Sequence, residues 1–409
     1  MSEKLLAFLD AQHDLVIELQ KEMTARPALC PSSGGQGEKD KADYLHGWLK
    51  ENNITDIEEL RAPDSRVNCG YRPTIIARVP GKTEKTLWII GHTDVVPTGD
   101  LNLWDSDPWT IHVDGDYIYG RGVEDNQQAI VSGLLVAKGL VDNDITPEYT
   151  LGLILTADEE TGSKYGLEYV MKERPELFKQ EDLILVPDIG DADGTMIEVA
   201  EKSILWEKIS VVGKQCHGST PCEGINSLEA ASAFILKIKK LHEIFDRKDD
   251  LFDPPISTFT PTKKEANVPN INTVPGLDVF FVDCRILPGY DLEDIRKEIK
   301  KLGDEVIAEY GVQITYEDDQ AGQSISQTSV DSEVVTKLER AIKTVYNVTP
   351  QPKGVGGGTV AAHLRDEGHP VACWSKLIPN AHVPNERTRI SCNIGDAKVI
   401  ATMLFDTAE

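Results

Sequence analysis

The sequence predicts a two-domain α/β protein: a central sheet flanked by helices, interrupted by an inserted α+β domain of ferredoxin-like order. Three observations lead there. A chain of 409 residues exceeds what one ordinary core fills, so two domains are expected. Short apolar runs alternate with helix-period stretches, the pattern of an α/β sheet. From about Leu205 that rhythm gives way to a strand–helix–strand–strand–helix–strand series.

The opening segment, MSEKLLAFLDAQHDLVIELQKEM, carries acids throughout and reads as one amphipathic helix rather than a signal peptide. Strands are expected at Thr74–Arg78, Leu87–Ile90, Thr150–Thr156 and Leu183–Val186. Between the second and third, Asn126–Leu140 sets Ile130, Val131, Leu134, Leu135 and Leu140 on a helical stripe. The insert, residues 205–320, reads as strand Leu205–Val212, helix Leu228–Phe245, strands Ile256–Thr260 and Leu277–Leu287, helix Leu292–Tyr310 and strand Val312–Tyr316. Beyond it, an amphipathic helix at Asp331–Val348 and a strand at Pro370–Trp374 let residues 321–409 rejoin residues 1–204.

Composition narrows the function classes. The chain is 40% hydrophobic and 27% charged, as a globular protein is. Acids outnumber Lys and Arg by 68 to 42, a formal charge of -26, which repels phosphate backbones and makes nucleic acid an unexpected partner. The plain reading of that charge is solubility. No apolar run approaches the roughly 18 residues that span a bilayer, so no membrane association and a cytoplasmic location are expected. The seven cysteines are scattered without a CxxC, which argues against a disulfide framework or a cysteine-bound zinc.

Three expected strands run into polar clusters: LWII into GHTD, LGLILTA into DEE, and LILV into PD. In open α/β sheets, ligands bind beyond the carboxyl ends of the strands. In GHTDVV, His92 and Asp94 point to one side of an extended chain, and a carboxylate is a usual orienting partner of a metal-bound imidazole. Alone, the pair fits a hydrogen-bonded structural histidine equally well. In YGRGVEDNQQAI, Asp125 suits a helix N-cap, and it also suits a carboxylate that shares its two oxygens between two cations. Glu159 and Glu160 stand side by side after a strand, where adjacent buried acids need a cation or a raised pKa and exposed ones need neither. Asp188 repeats the strand-end position, and His382 lies in IPNAHVPNE near the end of the chain. Two histidines and three acids, one of them bridging, make a dinuclear site with ions about 3.5–4 Å apart. The donor mix suits zinc, with cobalt or manganese as substitutes.

In order, GHTDVVP, DPW, DGDYIYGRGVEDN, TADEETG and a late His resemble metallopeptidase family 20, which includes aminoacylases, carboxypeptidases of the G type, succinyl-diaminopimelate desuccinylases and dipeptidases. The resemblance covers nearly the whole chain. It implies a zinc-peptidase-like catalytic domain with a mixed sheet, and a lid through which homodimers form. His92, Asp125 and Asp188 would hold one metal ion, and Asp125, Glu160 and His382 the other. Asp94 would orient its metal-site neighbour and Glu159 would be the general base.

In the lid, VVGKQCHGSTP resembles the segment that presents an oxyanion-stabilising histidine, here His217, which in dimeric relatives enters the partner subunit's site. NINTVPG and VDCRILPG resemble the stretches whose Asn and Arg hold the substrate carboxylate, here Asn272 and Arg285. Arg285 can also pair with Asp283. Gly357 and Thr359, in GVGGGTVAAH, are further substrate-contact candidates, with Thr359 where relatives often carry an acid. That glycine run lacks the Lys-Ser/Thr of a phosphate loop. Asn126, Gln127 and Gln128 follow Asp125 where relatives place Met or Asn and then Lys. The expected activity is metal-dependent cleavage of an amide in a small carboxylate-bearing substrate, of dipeptidase or carboxypeptidase type. Asp188, rather than Glu, resembles the peptidase-like members more than the aminoacylases, and an N-acyl amino acid deacylase, such as a succinyl-diaminopimelate desuccinylase or acetylornithine deacetylase, is the alternative. A non-catalytic binding protein on the same scaffold would be expected to have lost Glu159 or a ligand.

Overall fold

Seven consecutive buried residues, Thr86–His92, form an inner strand of an eight-stranded sheet. A run with both faces covered is what a parallel strand between helical layers requires. The computed structural model, which describes residues 2–408, orders that sheet as Asp56–Pro63, Tyr71–Val79, Thr150–Thr156, Thr86–His92, Leu183–Asp191, Val371–Lys376, Met196–Glu201 and Gln351–Val355. Thr86–His92 runs parallel to both neighbours, and Val371–Lys376 runs parallel to Leu183–Asp191. Tyr71–Val79 is antiparallel to both of its neighbours, so the sheet is mixed.

Helix Gln127–Asp142 packs on the His92 strand and against helix Ile390–Met403, which also meets Glu333–Tyr346. A further apolar cluster joins Trp88, Ile90 and Ile184 of the sheet to Leu167, Val170 and Leu364 of two shorter helices. Among the described residues no helix is long and apolar enough to cross a membrane.

Contacts divide the chain into two units. One comprises residues up to Val199, Thr328–Pro352 and the chain from Thr359 onward; the other comprises Ala200–Gln327 and Lys353–Gly358. The smaller unit is a four-stranded antiparallel sheet in the order Thr258–Lys264, Leu277–Ile286, Ser203–Val212 and Gln313–Gly322. Helices Ser227–Ile238 and Leu292–Tyr310 supply Ala230, Phe234, Ile295 and Ile299 to its core. This is the ferredoxin-like order read from the sequence.

Several elements differ from the sequence reading. The N-terminal segment forms two helices, Ser2–Asp10 and His13–Thr24, because the backbone tightens at Ala11 and Gln12 into bonds reaching back three residues, to Phe8 and Leu9. The helix expected over Leu228–Phe245 breaks after Ile238 for the same reason, with Lys240 donating to Lys237, and resumes at Leu241–Ile244. The strand at Leu183 runs on to Asp191 and therefore contains Asp188. Asp56–Pro63 gave no apolar alternation because it is an edge strand dominated by charge.

One residue departs from the inward row of Ser203–Val212. Leu205, Ile209 and Val211 belong to the smaller core, and Glu207 shares their alternation at 1% exposure. Burial, aided by the charge of Asp318, pushes its carboxyl up to about 7. Unfolded, the same group ionises near 4.5, so the stability it contributes is complete below that pH and is lost as pH rises through about 7. Glu207→Gln is therefore expected to raise the thermal unfolding midpoint at pH 8, by the equivalent of at most about 3 kcal/mol. Melting curves at pH 8 and pH 4 test this, the difference shrinking toward zero at the lower pH.

Candidate metal centre

Three parallel strands end at one margin of the larger sheet. His92 closes its strand opposite Thr156, the last residue of Thr150–Thr156, and Asp188 lies near the end of Leu183–Asp191. The turn Glu159–Thr161 follows shortly after Thr150–Thr156. Asp125 lies in the loop that enters helix Gln127–Asp142, where Asn126 occupies the N-cap position. His382 follows strand Val371–Lys376 with a left-handed φ of 64°.

His92, Glu159, Glu160, Asp188 and His382 gather with Asp125 in one cluster. One oxygen, Oδ1, lies 3.0 Å from His92 Nε2, and the other, Oδ2, lies 3.1 Å from His382 Nε2. Glu160 Oε2 is 3.1 Å from the same His382 nitrogen. On the other side, Asp188 Oδ1 and Glu159 Oε2 lie 3.6 and 3.9 Å from His92 Nε2. Burial opposes charge on His92, yet its hydrogen bonds to Asp125, Asp188 and Asp94 raise its pKa well above the ordinary value. Hydrogen bonds to Asp125 and Glu160 push His382 up to about 10. Asp125 is held low, its two imidazole bonds outweighing burial. Glu159 goes strongly the other way: burial raises it, and the charges of Asp188, Glu160 and Asp94 add to the shift against the opposing pull of His92.

The acids are held by dedicated donors. Asp94 accepts the backbone N–H groups of Glu159 and Glu160, each at 3.0 Å, while its carbonyl oxygen meets His92 Nδ1 at 3.0 Å. Its carboxylate thus fixes the acid pair, and its backbone orients the imidazole. Asn126 donates to Asp188 Oδ1 at 2.7 Å and accepts the His92 N–H at 3.2 Å. A Cβ at residue 91 would lie 2.8 Å from that Asn126 oxygen, so the close approach needs Gly91.

Two buried carboxylates stitch the Asp125 loop to the His382 loop in opposite directions. Glu386 accepts from the backbone N–H groups of Gly122, Glu124 and Asp125 and from Arg121. Glu124 in return accepts from the N–H groups of Ile378 and Asn380 and from the Asn380 side chain. Beneath the acid turn, fully buried Arg72 binds Glu38 and reaches Asp158 at 3.2 Å. Behind Asn126, Gln127 accepts from Thr24 and Gln128 donates to Asp396. Two buried cations act on Asp94: Arg72, and Lys41, which burial pushes down to about 8.

Sequence reading did not find Glu386, Glu124, Arg72, Glu38 or Lys41. Glu386 stands four residues beyond His382 in HVPNE, a weak signal; Glu124 adjoins Asp125, but its partners Ile378 and Asn380 lie far along the chain, and Arg72, Glu38 and Lys41 stand apart from every motif.

The smaller unit holds His217, Asn272, Arg285 and Gly357; Thr359 belongs to the larger. His217 pairs with Thr273 across a short ribbon, next to Asn272. Its Nδ1 accepts the Ser219 N–H at 3.1 Å, which leaves the ring proton on Nε2. Asn272 is exposed and accepts from Asn270. Arg285 forks onto Asp283 at 2.8 and 3.3 Å and donates to the Gly356 carbonyl at 2.7 Å. Gly357 is exposed, whereas Thr359 is buried with its hydroxyl accepting the Ala361 N–H.

The donor chemistry fits divalent cations. Ligand atoms of His92, Asp125 and Glu160, and likewise those of His92, Glu159 and Asp188, all lie within 4.8 Å of one another. Among the described residues, only histidines form ion pairs with Asp125, Glu159, Glu160 and Asp188. Crowded carboxylates of this kind require positive charge from elsewhere. Mixed imidazole and carboxylate donors suit zinc-type ions.

Comparison with known proteins shows the family and the fold. The family model of peptidase family M20/M25/M40 matches residues 88–406. The chain is 41% identical to an uncharacterized metallohydrolase of Methanococcus maripaludis, over 96% of this chain and 99% of the relative. It is 25% identical to a succinyl-diaminopimelate desuccinylase of Nitratiruptor, over 91% and 94% respectively. Among solved structures, the di-peptidase Dug1p of Saccharomyces cerevisiae superposes with a TM-score of 0.73 at 16% identity, covering 99% of this chain and 98% of that one. The aminopeptidase PepT of Bacillus cereus gives 0.75 at 17% identity, covering 96% and 98%.

Removing a partner that orients metal ligands typically costs 10–100-fold in metal affinity. Glu386→Gln is expected to weaken zinc binding by about that factor while the far-ultraviolet circular dichroism spectrum is retained. Competition titration against a chromophoric chelator measures it, and wild-type affinity in the variant would remove Glu386 from the site's support.

Proposed function

We propose that this chain, a metal-dependent hydrolase belonging to peptidase family M20/M25/M40, cleaves an amide bond in a small carboxylate-bearing substrate, in the manner of a dipeptidase or carboxypeptidase. The observation that carries the reading is Asp125, whose two oxygens face different imidazoles. His92, Asp125 and Asp188 would hold one ion and Asp125, Glu160 and His382 the other, with zinc the best match to the donors and cobalt or manganese as substitutes.

Such ions, when bound, supply a water of lowered pKa and polarise a carbonyl. Glu159 is assigned to proton transfer: it lies at 3.9 Å from His92, beyond the closer Asp125 contact, and burial raises its pKa, which makes its carboxylate a stronger base. It accepts a proton from the attacking water and returns it to the leaving amine. His217, with its proton on Nε2, is a donor for the oxyanion, a role that contributes up to a few kcal/mol. Arg285 presents a planar fork suited to the substrate carboxylate, a geometry that lysine does not reproduce. In the bare protein the fork is taken by Asp283, so substrate has to share or replace that pairing.

The second reading is an N-acyl amino acid deacylase, favoured by relatives such as the Nitratiruptor desuccinylase. A binding protein without catalysis is disfavoured because every ligand position and Glu159 are filled. Pairing of two chains through the smaller unit and a cytoplasmic location complete the proposal; sedimentation of the purified chain tests the pairing.

Glu159→Gln is expected to retain both metal ions and to lose at least about a hundredfold in kcat. Elemental analysis beside steady-state kinetics on dipeptides and N-acyl amino acids checks this; undiminished turnover in the metal-loaded variant refutes the role. Arg285→Ala is expected to raise KM for free-acid substrates far more than for their C-terminal amides. Equal effects on both would remove Arg285 from carboxylate recognition.

A further inference from the structure

The segment that carries His217 also carries two of the seven cysteines, Cys216 and Cys222, and the proposed hydrolysis uses neither. The other five are engaged elsewhere. Cys30, Cys284, Cys373 and Cys392 are buried, and Cys69 donates to the Tyr71 carbonyl at 3.0 Å. Cys222 is exposed and Cys216 half-buried, and both belong to the smaller unit.

Reciprocal backbone bonds between Lys214 and Ile225, at 2.8 and 2.9 Å, close the loop in which they lie. Within it, Pro221–Glu223 forms a single tight turn with Cys222 at its middle. The Cys216 sulfur rests against both ends of that turn. It lies 3.5 Å from the Thr220 carbonyl oxygen, and a Cβ at residue 224 would stand 2.5 Å from it, so the close approach needs Gly224. A disulfide requires Cα atoms about 4.4–6.8 Å apart. Joining the two sulfurs therefore asks the turn to fold inward over Cys216, and leaves the sheet and helices of the unit alone. The same turn sets the position of His217, whose carbonyl accepts the Thr220 N–H at 3.0 Å and whose Nδ1 accepts the Ser219 N–H. Drawing the turn onto Cys216 reorients that imidazole.

We propose that Cys216 and Cys222 form a reversible thiol–disulfide modification site, oxidised by a low-molecular-weight disulfide, whose closure displaces His217. The exposed Cys222 sulfur, as thiolate, attacks the small disulfide; one small thiol leaves and a mixed disulfide remains on Cys222. The Cys216 sulfur then displaces the second small thiol. The cysteines give up two electrons and two protons, and the small disulfide takes up both. Both sulfurs are free thiols in this structure, the state a reducing compartment maintains, where disulfides are transient rather than structural. The effect on catalysis rests on the hydrolase reading, in which His217 stabilises the oxyanion; the bond itself does not.

The test treats zinc-loaded protein with oxidised glutathione and reads the result by peptide mapping and steady-state kinetics. Mapping is expected to find one internal bond, Cys216 to Cys222, and kcat is expected to fall at least about tenfold and to return with dithiothreitol. Cys222→Ser is expected to keep the untreated kcat and to form no internal bond. Free thiols, or glutathione adducts alone, at Cys216 and Cys222 of treated wild type overturn the modification site. An internal bond with unchanged kcat overturns the displacement of His217. If metal-loaded protein cleaves no amide before treatment, the hydrolase reading fails, and mapping still decides the bond.

Discussion

Like charge at close quarters is the constraint on which the rest of this structure depends. Asp125, Glu159, Glu160 and Asp188 gather at one sheet margin, and two carboxylates a few ångströms apart in a partly buried site repel by several kcal/mol. Only histidines pair with them among the described residues, and the surrounding structure works to hold them. Asp94 holds the turn of Glu159 and Glu160 through backbone N–H groups, and Asn126 holds Asp188. Glu386 and Glu124 lock the Asp125 and His382 loops together from opposite directions. Buried pairs such as Arg72 with Glu38 add little net stability once desolvation is counted. Their evident use is positional, because Arg72 and Glu38 both bond to Asp158, the residue that starts the acid turn.

The parts visible in the sequence share one property: they are local. The strand ends at His92 and Asp188 were legible because an apolar run stopped at a polar residue, and the stripe of Asn126–Leu140 because its period is short. The ferredoxin-like order of the smaller unit emerged from element order alone. What stayed hidden is pairing between distant segments. Glu386 reads as an ordinary loop acid until the fold brings it under Gly122, and Glu124 as an ordinary turn acid until Ile378 and Asn380 donate to it. Edge strands were missed for a related reason: Asp56–Pro63 is charged along its length, as an exposed margin tends to be, and so carries no apolar rhythm. The residues taken for ligands are legible by motif, whereas those that hold them are legible only by fold.

In the proposed reading the larger unit supplies ion ligands and the proton-transfer acid. The smaller supplies His217, whose tautomer is set by the Ser219 N–H, and the Arg285 fork. A relative named a desuccinylase and structural neighbours named a di-peptidase and an aminopeptidase share this scaffold.

The most direct test of the central claim is anomalous diffraction from crystals of the full chain grown with zinc, collected on both sides of the zinc absorption edge. The expected result is two adjacent anomalous peaks, one on the His92 side of Asp125 and one on its His382 side. A single peak, or peaks at which Asp125 is not shared, would contradict the account.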